Sequence, residues 1–353
     1  MSINFTGNYP KHTRIETGCL SLDLAVAGQD FQKNYLLGLP LKCGYHVYSK
    51  ETGLGKTTFS VSLMGIIGVQ LGKNLSISPV DTFDIANIES ILTFQGYDGN
   101  VDIVLDADSH SKTLKKLTKS FISKDTCGAL LDSAYACMST AVDEGDPEDA
   151  SMGRDAKMIS TFVRQVYDAT ISAKDDRFFI VTNMLFPDIG GGRKGFGPPA
   201  MSTPRGKTLP GLTSIHMKLT QQYLKNKAVK SDIGRLIHGK IEKNNFGPTN
   251  KEFDVYLVGG IGIHKGLTAL YDCLKYGLAD EIKGAKIVID GEIIESTKVL
   301  QNEWQDEGLY KPFLDLILEN KNEIVSGKKK VVKETKDEEV EDEEQSAQEL
   351  YEG

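Results

Sequence analysis

At 353 residues, with 40% hydrophobic and 25% charged side chains, the chain has the length and composition of a soluble globular protein with one large core and a smaller domain. No apolar run approaches the roughly 20 residues that span a bilayer, and the N-terminal M-S-I-N-F-T-G-N-Y-P-K-H has no signal-peptide core, so neither a membrane partner nor secretion is expected. The net charge of −8 sits at one end: Asp337 to Gly353 holds nine carboxylates and no basic side chain, which leaves residues 1–336 near +1 and able to bind a polyanion.

Residues 1–13 are polar, with little to bury. Thr13 to Gly28 reads as a turn and an apolar-periodic helix from about Ser21, and Gln29 to Gly44 as a loop. Tyr45 to Tyr48 is aromatic and β-branched, as a strand requires. It gives way to K-E-T-G-L-G and then to the long apolar helix F-S-V-S-L-M-G-I-I-G-V. Strand, glycine loop and helix in that order form the setting of a phosphate-binding loop. Gly53 and Gly55 let backbone N–H groups turn inward onto an anion, and the helix beginning near Lys56 directs its partial positive end there. On this reading Glu51, Thr52, Gly53, Leu54, Gly55, Lys56, Thr57 and Thr58 hold a nucleotide. Lys56 reaches its β- and γ-phosphates and the Thr57 hydroxyl binds Mg²⁺. The pattern G-x-x-x-x-G-K-[ST] has Lys50 where its first glycine belongs, so a plain glycine turn before a helix stays open.

Asn74 to Val80 and Val101 to Leu105 are further strand candidates, with helical spacing from Ile85 to Phe94 between them. Ser111 to Ile122 is a basic amphipathic helix. Gly128 to Asp132 is a short apolar run ending in a carboxylate, which fits a buried parallel strand whose C-terminal end faces a ligand. Asp132 would be the Walker B acid; the plainer reading is a helix cap by Asp132 and Ser133. Ala141 to Gly153 is acidic and loop-like, Asp155 to Ile171 helical, and Arg177 to Thr182 a strand leading into Asn183.

From Leu185 to Pro210 the density of glycine and proline argues against any regular element. Arg193, Lys194, Phe196, Arg205 and Lys207 suit a loop that orders on a phosphate backbone, with an incidentally charged surface loop as the alternative. Ile215 to Leu219, Arg235 to Lys243 and Glu252 to Leu257 alternate as strands. After Gly259 come a helix (Leu267 to Tyr276), an Asp290–Gly291 hairpin and two helices to about Asn322, then a charged tail expected to be disordered. Five scattered cysteines without a C-x-x-C pair point to a reducing cytoplasm, and six dispersed histidines suggest no zinc site.

Taken together, I-E-T-G-C-L-S-L-D-L-A before the phosphate loop, G-L-P-L-K-C-G-Y-H-V-Y-S leading into it, S-M-G-R-D-A-K-M-I-S-T-F-V-R-Q, and G-G-I-G-I-H-K-G-L resemble the RecA recombinases, including their phage UvsX-like branch, over roughly Ile15 to Leu318. The resemblance implies an α/β fold: a RecA-like P-loop ATPase core with a mostly parallel central sheet (14–258, DNA-binding loops near 141–153 and 185–210). A short N-terminal segment (1–13) would make a subunit contact. A small α/β C-terminal domain (259–326) and a disordered acidic tail (327–353) would complete the chain. It implies ATP and Mg²⁺ as cofactors, helical filaments on single-stranded DNA, pairing with homologous duplex DNA, and possible help from a single-strand-binding protein and a loader. Carried over by position, Lys56, Thr57 and Asp132 serve the phosphates and Mg²⁺, Asn183 is the γ-phosphate sensor, and Lys243 crosses the interface to the neighbour's γ-phosphate.

Four positions depart from the family's pattern. The water-activating glutamate is missing from S-P-V-D-T-F-D, where Asp81 is the first substitute and Asp84 the second. Met184 stands beside Asn183 where a polar residue is usual. Asn245 replaces a second interface lysine. The family's N-terminal docking helix is not expected within Met1 to Arg14, where Phe5 or Tyr9 would serve as a shortened plug. Two other classes stay open: a RecA-like DNA-binding mediator with weak or no hydrolysis, and a hexameric helicase or circadian-type ATPase on the same core.

Overall fold

The computed structural model describes residues 13–29, 35–81, 84–106, 109–137, 152–187, 201–202, 208–221, 234–282, 284–303 and 305–327. The chain opens with β1 (Arg14–Ile15), α1 (Leu20–Ala25), β2 (Gly28–Gln29), β3 (Tyr35–Leu36) and β4 (Leu39–Pro40). β1 pairs with β4 and β2 with β3, both antiparallel. Part of the stretch expected to be a loop before residue 44 is therefore paired. The Arg14 guanidinium explains how: it donates to the carbonyls of Val26 at 3.1 Å and Gly38 at 2.8 Å, fastening both ends of the excursion, while Leu39 and Leu41 are fully buried.

Next come β5 (Cys43–Ser49), α2 (Lys56–Leu71), β6 (Asn74–Pro79), α3 (Ile85–Phe94), β7 (Val101–Ile103), α4 (His110–Ile122) and β8 (Thr126–Asp132). They are followed by α5 (Met152–Ser172), β9 (Phe178–Met184), β10 (Phe186–Pro187), β11 (Met201–Ser202), α6 (Thr208–Leu212), β12 (Ile215–Gln221), β13 (Gly234–Asn244), β14 (Lys251–Val258) and β15 (Gly262–Ile263). Nine of these strands form one sheet in the order β15-β14-β13-β12-β5-β9-β8-β6-β7. From β12 to β7 every neighbouring pair is parallel; β13, β14 and β15 add an antiparallel edge. The fold is α/β with a large, mostly parallel central sheet.

Helices cover both faces of the parallel part, so β5 and β8 are buried along all seven residues each. On one face α2 and α3 pack on Tyr45, Val47, Leu75 and Ile77. α2 is buried continuously from Phe59 to Gly68, as its all-round apolar sequence requires. On the other face α4, α5 and α6 pack on Ala129, Leu131, Phe179 and Val181. Two glycines inside central strands have a packing cause. A Cβ on Gly44 would lie 2.1 Å from the ring of Phe179 and one on Gly128 2.6 Å from that of Phe178, each phenylalanine standing directly across the ladder.

The C-terminal elements are α7 (Lys265–Lys275), β16 (Asp280–Ile282), β17 (Lys286–Ile289), β18 (Glu292–Ser296), α8 (Thr297–Asn302) and α9 (Glu307–Val325). Asp290 and Gly291, both at positive φ, close the β17–β18 hairpin that the Asp–Gly pair predicts. Leu267, Leu270, Ile287, Leu300 and Phe313 form a core that also takes in Tyr256 and Val258 of β14. All five cysteines are buried, and none forms a disulfide among the described residues. Among the described residues no helix is long and apolar enough to cross a membrane.

Candidate nucleotide-binding site

The C-terminal ends of β5, β8 and β9 lie side by side, and a ligand crevice in an open α/β sheet forms at such ends. β5 stops at Ser49, and the loop that follows turns at Gly53 (φ 66°) and Gly55 (φ 98°) into the first turn of α2. These left-handed positions free the loop's N–H groups to face outward beside the helix N-terminus. Buried Leu54 pins the loop to the core, and Arg235 of β13 donates to the Gly53 carbonyl at 3.2 Å.

Lys56 folds back over this loop, its amine 3.0 Å from the Ser49 hydroxyl and 3.2 Å from the Glu51 carbonyl. Burial holds its pKa below the ordinary lysine value, against the charges of Asp132 and Asp81. The Thr57 hydroxyl donates to Asp132 Oδ2 at 2.7 Å, and Thr182 of β9 donates to the other carboxylate oxygen. Asp132 is 2% exposed, and burial pushes its carboxyl upward, opposed by the hydrogen bonds from Thr182 and Thr57. One cation, one hydroxyl and one carboxylate thus meet at the mouth of a backbone anion cradle. Oxygen donors of this kind suit Mg²⁺, which is typically held by one or two carboxylates together with phosphate oxygens. Among the described residues no cluster of three His, Cys, Asp or Glu forms a separate metal cage.

The chain is 27% identical over 281 residues to protein RecA of Arthrobacter sp. (strain FB24), covering 79% of this chain and 73% of that protein. It is 27% identical over 254 residues to protein RecA of Saccharopolyspora erythraea, covering 71% of this chain and 67% of the relative. At this low identity the chain is similar to RecA proteins over about three quarters of its length. No family model matches it. The crystal structure of the RadB recombinase superposes at a TM-score of 0.44 with 16% identity, over 64% of this chain and 92% of that one.

The other positions singled out by the RecA resemblance fall in different places. Asp81 follows β6, exposed, with its N–H bonded to the Asp132 carbonyl at 3.0 Å, so it stands beside the end of β8. Asp84 is committed elsewhere: it caps α3, its carboxylate accepting from the Ala86 N–H at 3.0 Å. Asn183 is buried on β9 opposite Tyr48, its side-chain Oδ1 accepting from the Met184 N–H at 2.9 Å. Lys243 is held within its own chain, its amine donating to the carbonyls of Thr213 (2.6 Å), Pro210 (2.9 Å) and Gly211 (3.4 Å) at the end of α6.

The stretch from Leu185 to Pro210, expected to lack any regular element, begins and ends in short ones. Phe186 pairs with Ser202 and Pro187 with Met201, and α6 starts at Thr208. The Phe186 ring rests 4.8 Å from that of Tyr135, just past Asp132, which gives the short ladder its anchor. Arg193, Lys194, Phe196, Arg205 and Lys207 lie outside the described residues, as do Phe5, Tyr9, the 141–151 stretch and the acidic tail. Thr182, Ser49 and Arg235 were not marked by the sequence. Only Thr182 carries a local signal, a hydroxyl two residues from the end of an apolar strand beside the one bearing Asp132.

Proposed function

We propose that this chain is an ATP-dependent DNA recombinase. It forms helical filaments on single-stranded DNA, hydrolyses ATP to ADP and phosphate, and pairs and exchanges strands with homologous duplex DNA. The observation that carries the reading is the meeting of Lys56, Thr57 and Asp132 at the end of a glycine loop, with Thr57 and Asp132 2.7 Å apart. RecA homology supplies the recombinase class. The loop N–H groups and the α2 N-terminus would bind the phosphates, and Lys56 would shift from Ser49 to neutralise their charge. Thr57 and Asp132 would hold Mg²⁺, which offsets charge on the phosphate oxygens when bound. Asp81 is the carboxylate we assign to position the attacking water, because Asp84 is engaged as a helix cap. The basic loop within 185–210 would take the DNA backbone, and the UvsX-like affinity rests on the order of motifs in the sequence.

A mediator that binds DNA and nucleotide but hydrolyses poorly is the second reading. It is favoured by the carbonyl-bound state of Lys243 and by the shorter reach of an aspartate at position 81. Joint-molecule formation between a circular single strand and homologous linear duplex separates the two. The recombinase forms joints with ATP and loses them in Lys56→Ala; a mediator coats DNA and forms none.

A further inference from the structure

Two cations touch carbonyls of the glycine loop before α2. The Lys56 amine reaches that of Glu51 at 3.2 Å, and Arg235 Nη1 donates to that of Gly53 at 3.2 Å. Lys56 belongs to the helix that the loop opens and would leave Glu51 for a phosphate. Arg235 comes from the antiparallel edge of the sheet, 182 positions further along the chain. The ladder fixes its place: Arg235 stands opposite Leu257, and a Cβ on Gly55 would lie 2.9 Å from the Leu257 side chain. The β13–β14 pair therefore runs directly against the loop.

Gly53 needs such a contact. Its φ is 66°, and nothing would lie within 4 Å of a Cβ there, so side-chain packing does not hold this peptide. The N–H groups of Thr52, Gly53, Leu54 and Gly55 donate to no acceptor among the described residues. The Leu54 N–H shares its peptide unit with the Gly53 carbonyl. A charged donor on that carbonyl polarises the amide and strengthens the N–H at its other end as a donor to an anion. Arg235 is exposed and pairs with no carboxylate among the described residues, so its charge is not neutralised and its other N–H groups are unspent.

We infer that Arg235 is a positioning residue for nucleotide binding: it braces the Gly53–Leu54 peptide so that the loop N–H groups stay set for the phosphates. The inference rests on the nucleotide-binding reading above and adds a cation which that reading does not use. A glycine turn left unbraced samples more conformations, and binding must then order it at a cost in affinity. With the brace in place the cradle is pre-set, and a bound polyphosphate leaves more slowly. Once Lys56 has moved onto the phosphates, Arg235 is the charged group that remains on the loop's own backbone.

The test is stopped-flow release of a fluorescent ATP analogue and of the matching ADP analogue, with Mg²⁺, from wild type, Arg235→Gln and Arg235→Lys. Arg235→Gln should release both about 10-fold faster, the lower end of what a hydrogen bond from a charged donor supplies. Arg235→Lys keeps a charged donor and should recover part of the difference. Inorganic tripolyphosphate, used as a competitor, should lose affinity for Arg235→Gln by a similar factor, because the brace acts on the phosphate cradle. The melting temperature without nucleotide should match wild type, since the side chain is exposed and makes a single hydrogen bond. A wild type that holds nucleotide and an Arg235→Gln variant that releases it at the same rate would overturn the brace alone. Unchanged tripolyphosphate affinity would also overturn it and move Arg235 to the base or ribose. Arg235→Lys as fast as Arg235→Gln, with both melting below wild type, would overturn it in favour of a contact that serves the fold. A wild type that takes up no nucleotide sinks the nucleotide reading as well.

Discussion

The Thr57 hydroxyl donates to Asp132 at 2.7 Å, although the two residues are 75 positions apart in the chain. This hydrogen bond joins the first turn of the helix after β5 to the end of β8. It places a potential Mg²⁺ ligand pair beside the Lys56 amine, in a pocket whose backbone already favours anions.

Thr182 holds the second oxygen of the same carboxylate. It is a positioning residue. Thr182→Val should lower ATP turnover about 10-fold, as loss of an outer-shell partner does, while nucleotide affinity measured without Mg²⁺ stays close to wild type. Comparing affinity with and without Mg²⁺ separates this from a general folding defect, which would lower both.

Lys243 ties the end of α6 to β13 through three carbonyls. In the absence of DNA and nucleotide, Lys243→Ala should cost about 1.5–3 kcal/mol of stability, the range for hydrogen bonds to a charged donor. Chemical denaturation reads this directly. An unchanged midpoint with lost DNA-dependent hydrolysis would instead assign the amine to a neighbouring subunit.

Gly128 leaves room for the Phe178 ring across the β8–β9 ladder. Gly128→Ala puts a methyl group into that ring and should destabilise by about 1–3 kcal/mol, the cost of overpacking a full core. The double variant Gly128→Ala/Phe178→Leu should recover part of the loss, which thermal melting would show.

His238 Nδ1 donates to Asp254 Oδ1 at 2.8 Å, and Asp254 also pairs with Lys275 at 2.6 Å. The hydrogen bond to Asp254 raises the His238 pKa above the ordinary histidine value, against partial burial. The charged imidazole therefore stabilises the fold below that ordinary value, and the contribution is lost as pH rises through the raised one. His238→Gln should cost about 1 kcal/mol near pH 5.5 and much less near pH 8.5. A gap between wild type and variant that does not narrow with rising pH would contradict the charge-based account.

Most of the parallel core is legible in the sequence because its strands are continuous apolar runs, α2 is apolar all round, and α4 and α5 have clear apolar stripes. The glycine turn into α2 is legible for a different reason: Gly53, Gly55, Lys56 and Thr57 lie within five residues. Asp132 is readable as a strand-end carboxylate. The hydrogen bonds that orient it come from Thr57 and Thr182, on other elements, and no local pattern announces them. Asp84 did carry a local signal, an aspartate directly before a helical run, and its capping role follows that signal. Lys243 could not be placed from spacing, because the carbonyls it meets are exposed only where α6 ends about 30 residues earlier. The two-residue ladders escaped for a related reason: fastening contacts such as Arg14 to Gly38 and Phe186 to Tyr135 are tertiary.

The most direct test of the central claim is steady-state ATP hydrolysis with and without single-stranded DNA, by wild type and Lys56→Ala. The account predicts turnover that single-stranded DNA stimulates and that falls at least about 100-fold in the variant, as loss of a phosphate-neutralising lysine should cause. Turnover indifferent to both DNA and Lys56 would contradict it.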